Sequence, residues 1–344
     1  MNLYNNKLNK IEPEQKIELL KSLEKYALEA DDRVKSVNRC VYSDMEFNQK
    51  IINSNDLNLS FKNNISYLYL SVVVEEGDDV RSAGKFQITH DFSKFNPEKI
   101  ALNAVNEATS LLGATTIKSD SYPVILRNDI AAKILATFSS TLSAENVQKG
   151  LSLFVNKLGE KVAANNFNLI DDPFLKEGFN SRPFDGEGVA TMKKAVIKEG
   201  KLTTYLHNLK TAKKDEVETT ANAYRGSHKS SVGISPTNMY IAKGDNSYDD
   251  LIQSIDKGLI IISVQGLHSG ANSISGDFSL GASGYLIKNG EIDRPVEQIT
   301  ISGNFMDMLK DIDMIANDLK MDLPGRGHFG SPSIKIKALD IAGE

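Results

Sequence analysis

The segment Gly266-Leu-His-Ser-Gly-Ala-Asn-Ser-Ile-Ser-Gly-Asp-Phe-Ser-Leu-Gly-Ala-Ser-Gly284 has the composition of backbone that touches a ligand. Five glycines are interleaved with small polar residues between the apolar runs Leu259–Val264 and Tyr285–Ile287. Glycine has no Cβ to hold a partner away, so such a stretch can set N–H groups and hydroxyls against an extended chain. The polar side chains it offers are His268, Ser269, Asn272, Ser275, Asp277 and Ser279. A flexible surface loop has the same composition, and the residues alone leave both readings open.

Other chemistry is sparse. Asp171-Asp172-Pro173 and Arg182-Pro-Phe-Asp-Gly-Glu187 supply close carboxylates and an arginine. Such carboxylates can hold a hard cation or move protons. Asp-Pro and Asp-Gly are also ordinary turn formers, and an Arg182–Asp185 pair can pin a loop, which is the preferred reading. Arg225 suits carboxylate recognition or a solvated loop. The five histidines, His90, His207, His228, His268 and His328, form no H-E-x-x-H pair, the spacing that turns two imidazoles toward one zinc. There is no G-x-S-x-G elbow and no phosphate-binding G-x-x-x-x-G-K-[ST] loop. Gly325-Arg-Gly-His-Phe-Gly330 matches G-x-G-x-x-G, but Pro324 precedes it and Pro332 with Ile334-Lys-Ile-Lys follows. A dinucleotide site needs a strand before that turn and a helix after it, so the match is rejected.

The elements that must position these residues suggest two domains in 344 residues, 1–117 and 118–344. Pro13 opens a helical pattern through Ala30, Asp44 to Glu76 reads as strands, and Asn96-Pro97 caps a helix that stops at Gly113. The first dozen residues are polar and are expected to fray. Beyond the linker Lys118–Pro123, Val124–Leu126 reads as a strand, with helices over Asp129–Leu142, Glu145–Ala163, Tyr248–Lys257 and Phe305–Leu319. Glu199-Gly200 and Asn289-Gly290 are two-residue hairpin signals, and Val296–Ile301 and Ile334–Ala338 alternate as half-buried strands. The fold class is therefore α+β, an N-terminal α+β unit followed by a mainly antiparallel sheet or irregular barrel with a few helices.

Bulk properties narrow the partners. Hydrophobic content is 40% and charged content 25%, ordinary for a globular protein. No apolar run approaches the roughly 20 residues of a membrane span, and MNLYNNKLNK lacks the apolar core of a signal peptide. One cysteine, Cys40, excludes an intrachain disulfide and a Cys-only zinc site, so the cytoplasm is expected. A net charge of −5 provides no bulk attraction to phosphate backbones, which argues against nucleic acid as the primary partner.

Taken in order, the segments resemble the TldD/PmbA family, once called modulators of DNA gyrase and understood as metalloprotease components. The resemblance runs through Ser181–Gly188, the Glu199-Gly200 hairpin, Thr220–Gly226, Ser235-Pro-Thr-Asn238, Gly266–Gly284, Pro295–Asn304 and Ile315-Ala-Asn-Asp318. It covers nearly everything from Ile11 onward. The family carries a further N-terminal α/β segment, which this chain is expected to lack. In its catalytic, TldD-like branch, an H-E-x-x-x-H helix and a C-terminal cysteine bind zinc. The corresponding helix here reads about Ala136-Thr-Phe-Ser-Ser-Thr141, and no cysteine precedes Gly325 in the C-terminal region. The resemblance thus implies the PmbA/TldE-like branch, with no catalytic residue and no metal ligand in this chain. It implies a cytoplasmic metalloprotease subunit that binds unfolded peptides, with zinc held only by a TldD-like partner. Arg182, Arg225 and the polar residues of Gly266–Gly284 are the peptide-binding candidates. The rival reading is a homodimeric peptide-binding protein without protease activity; an active peptidase built on His268 with Asp277, or Arg182 with Asp185, is the least favoured. An exposed sheet edge near Val72–Val74 is expected to drive oligomerisation.

Overall fold

A computed structural model describes residues 3–176 and 178–344. The chain divides into two compact units, Met1–Ala114 and Thr115–Glu344. In the first, the order is α1 (Pro13–Glu29), β1 (Val34–Ile52), β2 (Asn58–Glu76), β3 (Asp79–Thr89) and α2 (Pro97–Ser110). Pro13 supplies the fixed φ of a first helical residue, and Glu12 and Gln15 close a capping box in front of it. Asn96 caps α2 by accepting from Lys99 N. Both helices cover one face of an antiparallel sheet, so that Leu23, Ala27, Ala101, Ala104 and Ala108 meet Leu68, Leu70, Val72 and Val74.

Three expectations are corrected here. The edge foreseen near Val72–Val74 does not exist, because β2 is the central strand: Val72 pairs with Val37 of β1 and Ala83 of β3. The sheet also reaches well outside Asp44–Glu76, from Val34 to Thr89. The N-terminal residues do not all fray. Leu8 is buried, and Asn64 accepts from Asn5 N while its own amide donates to Asn5 O and Asn9 Oδ1.

The second unit runs β4 (Asp120–Leu126), α3 (Asn128–Phe138), α4 (Ala144–Gln148), β5 (Leu169–Asp171), β6 (Lys194–Lys198), β7 (Lys201–Leu202), α5 (Leu209–Lys214), β8 (Ala223–Tyr224), β9 (Gly233–Ile234), β10 (Asn238–Ile241), α6 (Tyr248–Gln253) and β11 (Lys257–Gln265). It continues with β12 (Asp277–Lys288), β13 (Glu291–Asn304), α7 (Phe305–Lys310), β14 (Ile312–Ile315), β15 (Lys320–Met321), β16 (His328–Ser331) and β17 (Ile334–Ala342). Strands β13-β12-β11-β4-β17 form a sheet that closes on itself, because β13 also pairs with β17 through Thr300–Ala342 and Ser302–Asp340. Closure removes the sheet edges and makes a five-stranded barrel. Leu259, Ile261, Leu280, Val296, Ile299, Ile301, Ile334 and Ile336 share its core with Ile130, Ile134 and Phe138 of α3. A second sheet has the order β15-β16-β10-β5-β6-β7.

The two hairpin turns form because both central residues take positive φ: 51° and 76° at Glu199-Gly200, 51° and 77° at Asn289-Gly290. Two helix expectations fail. Gly150, at φ 72°, stops α4, and the apolar spacing beyond it belongs to irregular chain in which Phe154 and Val162 are buried. Past Lys310 the chain is extended, because Ile312 and Ile315 pair with Ile336 and Ile334 of β17. No helix among the described residues is long and apolar enough to cross a membrane.

Gly284 shows why glycine is needed in the barrel wall. It pairs with Ile261 on one side and Val296 on the other, at a break in register, and an added Cβ would collide with Ile260 O. Gly284→Ala is therefore expected to cost up to about 3 kcal/mol in urea unfolding. Gly281→Ala, where a Cβ meets only Gln265 Cβ at 3.8 Å, is the control and should be close to neutral.

Candidate functional site

The Gly266–Gly284 segment is half loop and half barrel strand. Gly266, at φ 82°, ends β11 and lets Ser269 N and Gly270 N turn back to its carbonyl at 3.0 and 2.7 Å. Asn272 N then donates to Asp277 O, Gly276 N to Asn272 O, and Ser279 N to Gly270 O. Asn272 Oδ1 accepts from Ile274 N at 2.9 Å. Asp277 Oδ1 accepts from Asn304 Nδ2 at 2.9 Å, and this bond, with one from Ser275, holds its carboxyl below the usual carboxylate range. From Asp277 onward the chain is β12, paired with β13 from its first residue and with β11 from Gly281. Much of the loop's backbone hydrogen bonding is thus internal, which makes the loop a shaped rim rather than a slack connection. His268, Ser269, Asn272, Ser275, Asp277 and Ser279 lie along it, all at least partly exposed. The chemistry it presents outward is carried mainly by these side chains and less by the backbone N–H groups that its glycines suggested.

The two arginine candidates lie elsewhere. Arg225 is exposed in the β8–β9 connection, next to Tyr224, whose ring carries the Arg326 guanidinium 5.3 Å from its centroid. Arg182 is only 8% exposed and belongs to a buried polar network centred on Asp171. Asp171 Oδ1 accepts from Thr237 N and Thr237 Oγ1, at 2.7 and 2.6 Å. Its Oδ2 accepts from Asn222 Nδ2 at 2.8 Å and Lys194 Nζ at 3.1 Å. Lys194 also donates to Asn222 Oδ1, and Asn222 Nδ2 to Ser235 O, so the ring closes. Arg182 reaches Ser235 O through Nη2 at 3.5 Å, while its buried Nε has no hydrogen-bond partner among the described residues. Burial pulls the Arg182 guanidinium below its ordinary pKa, against the opposing pull of Asp171 and Asp185.

The preferred turn reading of this region therefore needs refining. Asp185 does organise its loop, but through Glu187 N, Val189 N and Ala223 N, and among the described residues it forms no ion pair with Arg182. Asp172 accepts from Phe174 N in a turn and pairs with Lys193 at 2.9 Å. Lys194 and Thr237, half of the Asp171 ring, carried no chemistry signal in the sequence. His328, inside the rejected glycine motif, is fully buried beside this sheet. Its Nδ1 accepts from Phe179 N at 3.2 Å and lies equally far from Asn238 Oδ1, while its Nε2 meets Asp322 O at 2.8 Å, an arrangement that suits a neutral ring protonated on Nε2. Burial pulls its pKa down to about 4.

At the end of α3, Ala136–Thr141 presents methyl, benzyl and hydroxyl groups. Thr137 Oγ1 donates to Lys133 O, Ser139 Oγ to Ala136 O, and Thr141 Oγ1 to Phe138 O. Phe138 stacks on Phe305 with centroids 4.3 Å apart and meets Phe278 edge-on. Zinc takes imidazole, thiolate or carboxylate, so these residues do not fit it. Among the described residues no group of three or more His, Cys, Asp or Glu is placed to hold a metal ion.

Comparison with known proteins agrees with this architecture. Residues 119–343 match the PmbA/TldA metallopeptidase C-terminal domain and residues 6–112 the central domain. The Escherichia coli O157:H7 metalloprotease PmbA is 27% identical over 336 residues, 97% of this chain and 71% of that protein. A Buchnera aphidicola TldD homologue is 29% identical, covering 98% and 74%. The crystal structure of a Thermotoga maritima protein proposed to modulate a DNA gyrase is 38% identical with a TM-score of 0.93, over 99% of this chain and 77% of that one. The crystal structure of TldE from Thermococcus kodakarensis is 25% identical with a TM-score of 0.90, over 99% and 76%. On both of its units and at this coverage, the chain belongs to the PmbA/TldA metallopeptidase family.

Proposed function

We propose that this chain is a PmbA/TldE-like subunit without a zinc site, which holds unfolded peptide for hydrolysis by a TldD-like partner. The observation that carries the reading is the donor set at Ala136–Thr141. Its three bonded hydroxyls are spent on backbone carbonyls of the same helix and its end, and Phe138 is locked in an aromatic stack. No step of hydrolysis is therefore assigned to this chain. What it brings is surface. The Gly266–Gly276 rim and the first residues of β12 present amide, hydroxyl, imidazole and carboxylate groups together in accessible positions. Groups of this kind suit the repeating amides of an extended peptide, with little demand on its sequence. Homology to TldE supports the subunit role.

The reading is tested on the purified chain, equilibrated with zinc, passed through a desalting column and measured by elemental analysis and by cleavage of an unstructured peptide. Zinc far below one per chain and no cleavage are expected. One zinc per chain together with cleavage would overturn the proposal.

A further inference from the structure

Arginine grips a carboxylate most firmly when one edge of its guanidinium, Nε with Nη2, meets both oxygens. This chain does so at two places. Arg33 holds Asp31 through Nε at 2.9 Å and Nη2 at 2.8 Å, and Arg127 holds Asp129 at 2.6 and 2.8 Å. Arg182 has no such partner among the described residues. The same edge meets only a carbonyl, Ser235 O at 3.5 Å from Nη2, and its buried Nε makes no hydrogen bond. Asp171 and Asp185 are near enough to act on its charge, but their oxygens are committed. Asp171 accepts from Thr237, Asn222 and Lys194, and Asp185 from the amides of Glu187, Val189 and Ala223. A buried charged donor left open is costly, and such a gap calls for a group that fills it.

The ribbon of β8 and β9 beside Arg182 carries charge of the same sign. Gly186 packs its loop against β8, where an added Cβ would meet Ala223 O at 3.1 Å and Arg225 N at 3.2 Å. Tyr224 of β8 lies within electrostatic reach of Arg182, and its ring carries the Arg326 guanidinium. Gly233, paired with Tyr224, leaves room for that guanidinium, since a Cβ there would stand 2.7 Å from Arg326 Nη2. Ser235 joins the two arginines: its carbonyl faces Arg182 and its hydroxyl donates to Arg326 O. Arg225 and Lys229 lie exposed on the connection between the two strands. Among the described residues Arg182, Arg225, Lys229 and Arg326 make no ion pair with a carboxylate. On a chain with a net charge of −5, this is a local reversal of sign.

We infer that Arg182 and the β8–β9 ribbon bind a carboxylate of a peptide ligand. The Nε–Nη2 edge of Arg182 takes its two oxygens, and Arg326 and Arg225 add charge from the ribbon. A planar anion with two oxygens matches that edge, as Asp31 and Asp129 already show within the chain. The cover over the site is thin, because β8 and β9 pair only through Ala223–Ile234 and Tyr224–Gly233. So short a ladder opens at low cost. The inference rests on the peptide-holding reading and adds a preference to it. A peptide is held more tightly when it offers a free C-terminus or an acidic side chain to this site.

Fluorescence anisotropy of the full chain tests it with three N-terminally labelled, unstructured peptides of one Gly/Ser/Ala sequence. One ends in a free carboxylate, one in an amide, and one is amidated but carries an internal Glu. At least one carboxylate peptide should bind about tenfold or more tightly than the plain amide, and which of them does so identifies the source. The margin should vanish in Arg182→Gln and return only in part in Arg182→Lys, which keeps the charge without the two-donor edge. Arg225→Gln with Arg326→Gln should also reduce it, in a double variant that keeps the wild-type thermal melt and carries the test if Arg182→Gln folds poorly. Equal binding of all three peptides overturns the inference and leaves peptide holding intact. A margin that survives in both Arg182→Gln and the double variant overturns it too. Binding of none of the three overturns the peptide-holding reading, and the inference with it.

Discussion

Asp171→Ala is expected to remove about 3–5 kcal/mol of folding stability, measured as the drop in unfolding free energy in urea at pH 7. Asp171 is fully buried and satisfies four donors, from Thr237, Asn222 and Lys194. Alanine leaves Lys194, whose side chain is 9% exposed, with a buried positive charge and no carboxylate in contact. It also strips the anchor from Thr237, which leads into β10, the strand between β5 and β16. An unpaired buried charge is costlier than a lost hydrogen bond, so the charge sets the magnitude. Lys194→Met in the Asp171→Ala background should recover part of the loss, because it removes the orphaned cation. A loss under about 1 kcal/mol for Asp171→Ala would show that water reaches the site and replaces the carboxylate.

The second large effect is acid sensitivity from His328. In the folded chain its pKa is about 4, below the ordinary 6.5, because the buried ring cannot take a charge without desolvation. The unfolded chain therefore binds the proton first as pH falls. Stability from this group is complete above about pH 6.5 and declines until about pH 4, a total of about 3 kcal/mol at 1.36 kcal/mol per pH unit. Burial shifts His207 in the same direction, so the wild-type slope includes both histidines. The comparison that isolates His328 is the wild type against His328→Gln, by urea unfolding from pH 7.5 to 4.5. The variant should start less stable, having lost the Phe179–His328–Asp322 bridge, and should fall less steeply with acid. Parallel curves would contradict the assignment.

Local features were legible in the sequence wherever one residue type has one physical use. The positive φ values at Asn289-Gly290 and Glu199-Gly200 follow from residues that tolerate them, and the starts of α1 and α2 follow from Pro13, Asn96 and Pro97. Helical spacing misled beyond Gly150 and Lys310, because buried loop and strand residues can share a period of three or four by coincidence of packing. The closed barrel was named only as one of two options, since its closing contact joins Ile301 to Ile341. The Asp171 ring was illegible for the same reason. Its members come from β5, β6 and two loops, with Asp171 and Thr237 66 positions apart. Their types suggested turns and surface, and only the fold turns them inward. The polar residues of Gly266–Ser279 were legible as a group, but not the internal bonding that occupies their backbone.

In the proposed division of labour this chain holds peptide while a zinc-bearing relative cuts it. Its most direct test is a titration. A chain carrying H-E-x-x-x-H is mixed with increasing amounts of this one, and the initial rate of cleavage of an unstructured peptide is recorded. No cleavage by this chain alone is expected, and a rate that rises with its addition and levels off at equal molar amounts. Cleavage by this chain alone, or a partner rate that its addition leaves unchanged, would contradict it.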